Sequence, residues 1–176
     1  MALTLLRHVR PEVTEGLCYG ITDLALAPGH QAALEALLPR LPPVTAIATS
    51  PLRRCRETAE ALAARLRLQV EMDPRLIEMD FGAWEGRPWD DIPRAELDQW
   101  AADFLHARPH GGESVAQLQA RVRAALADFR TRPGHPLLVT HGGVIKAALA
   151  TGPRAEDWPA TLAFGEFVTI CPPRGE

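Results

Sequence analysis

The sequence contains one lysine, one tyrosine and three cysteines in 176 residues. Lys146 stands against 18 arginines, and the net charge is −3. The chain therefore lacks the basic surplus of a nucleic-acid or polyanion binder, and its arginine bias reads as genome composition. Cys18, Cys55 and Cys171 are odd in number, widely spaced and free of any CxxC pair, which points to reduced thiols in a cytoplasm. No run approaches the length of a membrane span. The apolar opening to Leu6 is too short for a signal peptide and is broken by Arg7. There is no repeat, no low-complexity tract and no glycine-rich loop ending in Gly-Lys-Ser/Thr, which argues against a P-loop nucleotide hydrolase. Neither Cys18 nor Cys55 is followed by arginine six positions later, so neither is placed as a cysteine-phosphatase nucleophile.

What is present is the balance of a soluble globular protein, 47% hydrophobic and 23% charged, in a length that suits one domain over residues 1–176. Strand-like and helix-like segments alternate. Strands are expected at 3–6, 45–49, 68–72, 136–140 and 167–170, and helices at 29–38, from about 51 to 66, 95–107, 114–130 and 143–150. Ser114-Val-Ala-Gln117 has the form of a capping box. Residues 73–95, punctuated by proline and glycine, read as a long functional loop. The alternation predicts an α/β fold of three layers: a mostly parallel central sheet with helices on both faces.

In such sheets ligands bind beyond the carboxyl ends of the strands. The first strand ends at Arg7-His8, the second at Thr49-Ser-Pro-Leu-Arg-Arg54 and the fourth at Thr140-His-Gly-Gly143. A single Arg-His pair at a strand end is unremarkable, since strand ends meet water. Three such ends on one rim would gather arginines and histidines where two helices begin. Guanidinium forks and helix N-termini both favour phosphate oxygens. Gly142 and Gly143 allow the backbone close to a ligand. A neutral imidazole in a cationic pocket is also a nucleophile toward phosphorus, because the surrounding charge keeps it unprotonated. The leaving oxygen then needs an acid, and Glu78, Asp80 and Glu85 are the candidates in the 76–86 segment, each equally readable alone as a solvated loop carboxylate.

Taken in order, Leu6-Arg7-His8, Ser50-Pro-Leu-Arg-Arg-Cys55, Glu78-Met-Asp-Phe-Gly-Ala-Trp-Glu-Gly86, Gly111-Gly-Glu-Ser114 and Thr140-His-Gly-Gly143 resemble the motif set of the histidine phosphatase superfamily, which includes phosphoglycerate mutases and many small phosphatases. The resemblance implies a phosphoglycerate mutase-like fold and a phosphomonoesterase needing neither cofactor nor metal. His8 would be the phosphorylated nucleophile and Glu78 the proton donor, while Arg7, Arg54 and His141 would hold the phosphoryl group. Arg54 fits the motif spacing; Arg53 falls outside it, on the helix surface or the outer pocket. Tyr19, Gly20, Trp84 and Gly142 are further candidates for substrate or backbone contacts.

The sequence departs from the common Arg-His-Gly start, having Val9 after the histidine. With Gly16-Leu-Cys-Tyr-Gly-Ile-Thr-Asp23 this is similar to the α-ribazole-5′-phosphate phosphatase branch of cobalamin nucleotide-loop assembly. The alternatives are a broad-specificity metabolite phosphatase, a phosphoglycerate mutase and a non-catalytic phosphate-binding relative. A small-molecule phosphomonoester is the expected partner, with no nucleic acid or membrane, and a homodimer is the candidate assembly. His106 and His110 read as surface histidines rather than metal ligands, because Pro109 lies between them and no third ligand has suitable spacing. His30 and His135 adjoin turns, and Cys55 is expected to be packed.

Overall fold

A computed structural model describes residues 2–159 and 161–171. Five strands form one sheet: β1 (Leu3–Arg7), β2 (Ala46–Thr49), β3 (Val70–Met72), β4 (Pro136–Thr140) and β5 (Phe167–Ile170), in the order β3-β2-β4-β1-β5. β1, β2, β3 and β4 run parallel, and β5 joins the edge antiparallel to β1. The helices are α1 (His30–Leu37), α2 (Arg53–Leu66), α3 (Arg94–Ala102), α4 (Val115–Thr131) and α5 (Gly142–Leu149).

The central strands are mostly apolar because both of their faces are covered. Alternation sends Leu5, Ala48 and Leu138 to the α4/α5 side, where they meet Leu118, Val122, Leu126, Phe129, Val144 and Ile145. Leu6, Ile47, Leu137 and Val139 face α1 and α2, against Leu34, Leu37, Ala59 and Leu62. Each such leucine contributes roughly 1.5–3 kcal/mol of transfer free energy when fully buried. This is the three-layer arrangement expected from the sequence.

Element ends follow local chemistry. The capping box opens α4 as expected: Ser114 Oγ accepts from the Gln117 N–H at 3.2 Å, and Gln117 Oε1 accepts from the Ser114 N–H at 2.8 Å. α2 ends at Arg67, in the left-handed region at φ 58°, and the Leu68 N–H turns back to Ala63 O. That turn uses the residues expected to begin β3, so the strand starts at Val70. α3 stops at Ala102, short of the expected 107, because Asp103 leaves helical geometry at φ −134°, ψ 68°. The 73–95 segment holds three short 3-10 turns, at Pro74–Leu76, Gly82–Trp84 and Trp89–Asp91.

The strand order positions the site. β4 lies between β2 and β1, so the three polar strand ends emerge side by side. The His8 N–H donates to Thr140 O and the Ser50 N–H to Val139 O, each at 3.0 Å, extending the ladder one residue past the strands. Neighbouring strands lie about 4.8 Å apart. His8 and His141, next to one another across β1 and β4, therefore face each other edge to face, with ring centroids 5.2 Å apart.

Candidate active site

His8 is almost fully buried, and its Nδ1 lies 2.7 Å from Val9 O. A carbonyl oxygen only accepts, so Nδ1 carries the hydrogen and Nε2 keeps its lone pair. Burial, then the charge of Arg54 and more weakly Arg7, pushes the pKa of His8 down to about 3 against the opposing pull of the Val9 carbonyl. The imidazole is thus neutral across ordinary pH, as a nucleophile requires. The Val9 side chain packs into the core beside Leu6 and Leu26. The residue that departs from the family start thus reaches the site through its carbonyl.

Arg54 sits in the first turn of α2 with no exposed surface. Its Nη1 donates to Thr22 O at 2.7 Å and its Nη2 to Gly20 O at 2.5 Å. Arg7 donates from Nη1 to Leu162 O at 2.5 Å and stacks on Phe164 with its Cζ 3.9 Å from the ring centroid. The Nε donors of both arginines are buried and have no acceptor among the described residues. Buried donors left unsatisfied are costly, and a phosphate anion is the acceptor that suits two adjacent guanidinium groups.

Glu78 approaches from the other side. Its Oε2 accepts from the Gly143 N–H at 2.9 Å, at the start of α5, and its Oε1 from its neighbour Met79 at 2.9 Å. A Cβ at residue 143 would lie 2.3 Å from Oε1, so glycine there is what admits the carboxylate. Behind Glu78, Arg121 of α4 donates to the carbonyls of Arg75, Ile77 and Glu78 and is itself held by Glu113 at 2.7 and 2.8 Å. This clamp fixes the backbone that carries Glu78.

Arg7, His8, Tyr19, Arg54, Glu78 and Gly142 line one cavity of about 370 Å³. Its other walls are mostly apolar or aromatic, including Leu17, Phe81, Trp89, Trp100, Phe104, Val115, Leu118 and Trp158, with Lys146 and Thr161 as polar members. His141 lies one layer behind, bonded to Ser50 Oγ at 2.8 Å and with Cys55 Sγ at 3.4 Å from Nε2. Burial, with Arg54 and His8 adding to it, keeps the pKa of His141 well below its ordinary value.

Several expected residues occupy other places. Trp84 does not border the cavity. It is fully buried, donates its indole N–H to Glu96 at 2.6 Å and packs with Cys18 and Ile92 in a small core belonging to the loop itself. His110 is buried against the Trp84 ring at 4.8 Å, not on the surface, and its Nδ1 accepts from the Gly112 N–H. Gly20 contributes a carbonyl to Arg54 and lets two loops meet, since a Cβ there would lie 1.8 Å from Met79 O. Glu85 clasps that junction by accepting from the N–H groups of Gly20, Ile21, Thr22 and Phe81 and from the Thr22 hydroxyl. Burial alone would raise its pKa, but these donors outweigh it and hold the carboxylate below its usual range. Asp80 accepts from the Gly82 N–H within its own turn. Arg53 is exposed and paired with Glu57, as expected for the helix surface, and Cys55 is fully buried.

Sequence reasoning missed Arg121, Phe164, Lys146 and the aromatic wall. No local spacing marks any of them, because Lys146 and the aromatic residues reach the cavity from separate segments, while Arg121 and Phe164 act behind it on the Glu78 backbone and on Arg7.

Comparison with known proteins gives the arrangement a lineage. A sequence model of the histidine phosphatase superfamily (branch 1) matches residues 3–161. Among curated proteins, the probable phosphoglycerate mutase GpmB of Photorhabdus laumondii is 37% identical over 128 residues, covering 69% of this chain and 59% of that protein. The chain thus spans somewhat over half the length of that relative. Among solved structures, TTHB049 from Thermus thermophilus is 31% identical with a TM-score of 0.78, covering 99% of this chain and 95% of that one. The mycobacterial glucosyl-3-phosphoglycerate phosphatase Rv2419c is 32% identical with a TM-score of 0.79, covering 97% and 89%.

Proposed function

Since the chain belongs to the histidine phosphatase superfamily, we propose that it is a phosphomonoesterase working through a phosphohistidine at His8. The observation that carries this reading is a neutral imidazole with a free Nε2 at the floor of a cavity, beside two buried guanidinium groups whose Nε donors lack acceptors. Phosphoryl oxygens dock on Arg7 and Arg54. His8 Nε2 attacks phosphorus, the P–N bond forms and the P–O bond to the alcohol breaks. Glu78 delivers the proton that the departing oxygen requires. Water then gives a proton to Glu78 as it attacks phosphorus, the P–N bond breaks, and phosphate leaves with neutral His8 and protonated Glu78 restored. His141 stands behind His8 and supports the transferring group from the second layer. The fixed positive charge of the arginines stabilises negative charge accumulating on the phosphoryl oxygens.

For the substrate, the preferred reading is α-ribazole 5′-phosphate. Its flat, bulky base suits a cavity walled in part by Phe81, Trp89, Trp100, Phe104 and Trp158. A second reading is a leaving group that carries a carboxylate. It is favoured by Lys146, the chain's one lysine, in the same cavity. The names of the similar proteins, a probable phosphoglycerate mutase and a glucosyl-3-phosphoglycerate phosphatase, support this second reading. Specificity constants for α-ribazole 5′-phosphate, 3-phosphoglycerate and glucosyl-3-phosphoglycerate separate the two, with mutase turnover followed in the same mixtures. A clear preference for the ribazole ester is expected. Equal or better turnover of the acid-bearing esters leaves the phosphatase reading intact and overturns the substrate.

A further inference from the structure

We propose that His8, Cys55 and His141 together form an inhibitory binding site for a soft monovalent metal ion of the cuprous type. One ligand atom from each residue lies within 4.8 Å of the other two, and all three residues are buried. Val9 occupies His8 Nδ1, so Nε2 is the nitrogen offered. Both ring nitrogens of His141 lie near Cys55 Sγ, at 3.4 and 3.7 Å. Two imidazoles and one sulfur make a three-coordinate set with a soft donor, which selects cuprous ion over hard cations. His8 lines the cavity, so an ion entering by the substrate route meets Nε2 first.

Charge decides which ion fits. Arg7 and Arg54, which line the same cavity as His8, already make this region cationic. A cysteine thiol ordinarily carries its proton at neutral pH. When a cuprous ion bonds Sγ, the S–H proton leaves to solvent, the S–Cu bond forms and the site's net charge does not change. Zinc bound in the same way adds one positive charge beside two arginines. The preference is therefore for the monovalent ion, and no electron transfer is involved. Inhibition follows because the metal occupies the lone pair of Nε2. Inhibition and competition by vanadate rest on the proposed phosphoryl site at His8; the binding site itself does not.

The test uses the full chain with the exposed Cys171 changed to serine (Cys171→Ser). It is titrated without oxygen with cuprous ion supplied as its acetonitrile complex. Copper X-ray absorption and turnover of an aryl phosphate are read on the same samples. The expected result is one copper per chain with one sulfur and two nitrogens, turnover falling in step with loading, and uptake blocked by vanadate. Loss of even an outer partner costs about 10–100-fold in metal affinity, so Cys55→Ala should raise the half-inhibiting concentration by at least about 100-fold. Sulfur-only coordination, or zinc bound as tightly as copper, would overturn the proposal, and uptake indifferent to vanadate would overturn its inhibitory role. So would undiminished inhibition of an active Cys55→Ala protein. If that variant does not fold, coordination and vanadate competition in the parent still decide. Copper bound by one sulfur and two nitrogens in a protein without phosphatase activity would leave this site standing and remove the proposed function.

Discussion

At the inner end of the cavity Arg7 and His8 project from the end of β1 and Arg54 from the first turn of α2, with His141 close behind at the end of β4. The other half, outer in the sense that no strand of the sheet supplies it, is made by Phe81, Trp89, Trp100, Phe104 and Trp158 from loops, α3 and the segment after α5. The inner half is fixed by the sheet ladder and by hydrogen bonds to backbone carbonyls, so its geometry is as rigid as the core beneath it. The outer half is held by aromatic packing between segments that are distant in sequence. A phosphate is the same in every substrate, whereas leaving groups differ, and the division of construction follows that division of chemistry.

The largest expected difference between the halves comes from Glu78, which lines the same cavity. An alkoxide leaves phosphorus poorly, while a nitrophenolate needs little protonation. Positioned acids contribute about 10²–10⁴-fold, so Glu78→Gln should slow alkyl phosphates by that order and nitrophenyl phosphate far less. Arg121→Ala should show the same leaving-group dependence in weaker form, because it holds the Glu78 carbonyl and two others nearby. Equal slowing of both ester types would mean that Glu78 positions the phosphate or the loop. A dependence found only in Asp80→Asn would move the acid to Asp80.

Arg54→Ala should lower kcat for every ester alike, by about 10²–10³-fold, the usual cost of removing one preorganised donor to developing charge. Uniformity across leaving groups is the diagnostic, since Arg54 belongs to the inner half.

Trp89→Ala should act in the opposite manner, raising KM for aromatic esters by about 10-fold and leaving small alkyl esters nearly unchanged, an effect in the range of a few lost apolar contacts. A uniform loss of kcat would contradict the separation of the two halves.

The smallest effect is on stability. The unfolded chain protonates His8 below about pH 6.5, while the fold resists protonation until about pH 3. The unfolded state therefore binds more protons in that window, and stability falls as pH drops through it. His8→Asn should flatten part of the fall in melting temperature between those limits; an unchanged slope would contradict the burial argument.

The same comparison explains what the sequence disclosed. The inner half was legible because each contribution is a short segment at a strand end, and the alternation of elements placed those ends on one rim. Glu85 and Asp80 could not be told from Glu78 by spacing. Their different tasks depend on which backbone N–H groups come near, Gly143 for Glu78 and the Gly20–Thr22 turn for Glu85. Trp84 looked like a cavity residue from its position among the acids, but its indole turns inward to Glu96, while Trp89 and Trp100 take the cavity wall. The outer half had no local signature, because an aromatic residue facing a cavity and one facing the core have the same spacing.

The most direct test of the account is to identify the phosphorylated residue during turnover. Protein mixed briefly with labelled aryl phosphate and quenched in alkali should carry alkali-stable, acid-labile label on the peptide containing His8, and His8→Ala should lose both label and turnover. Label on any other residue, or normal turnover by His8→Ala, would contradict it.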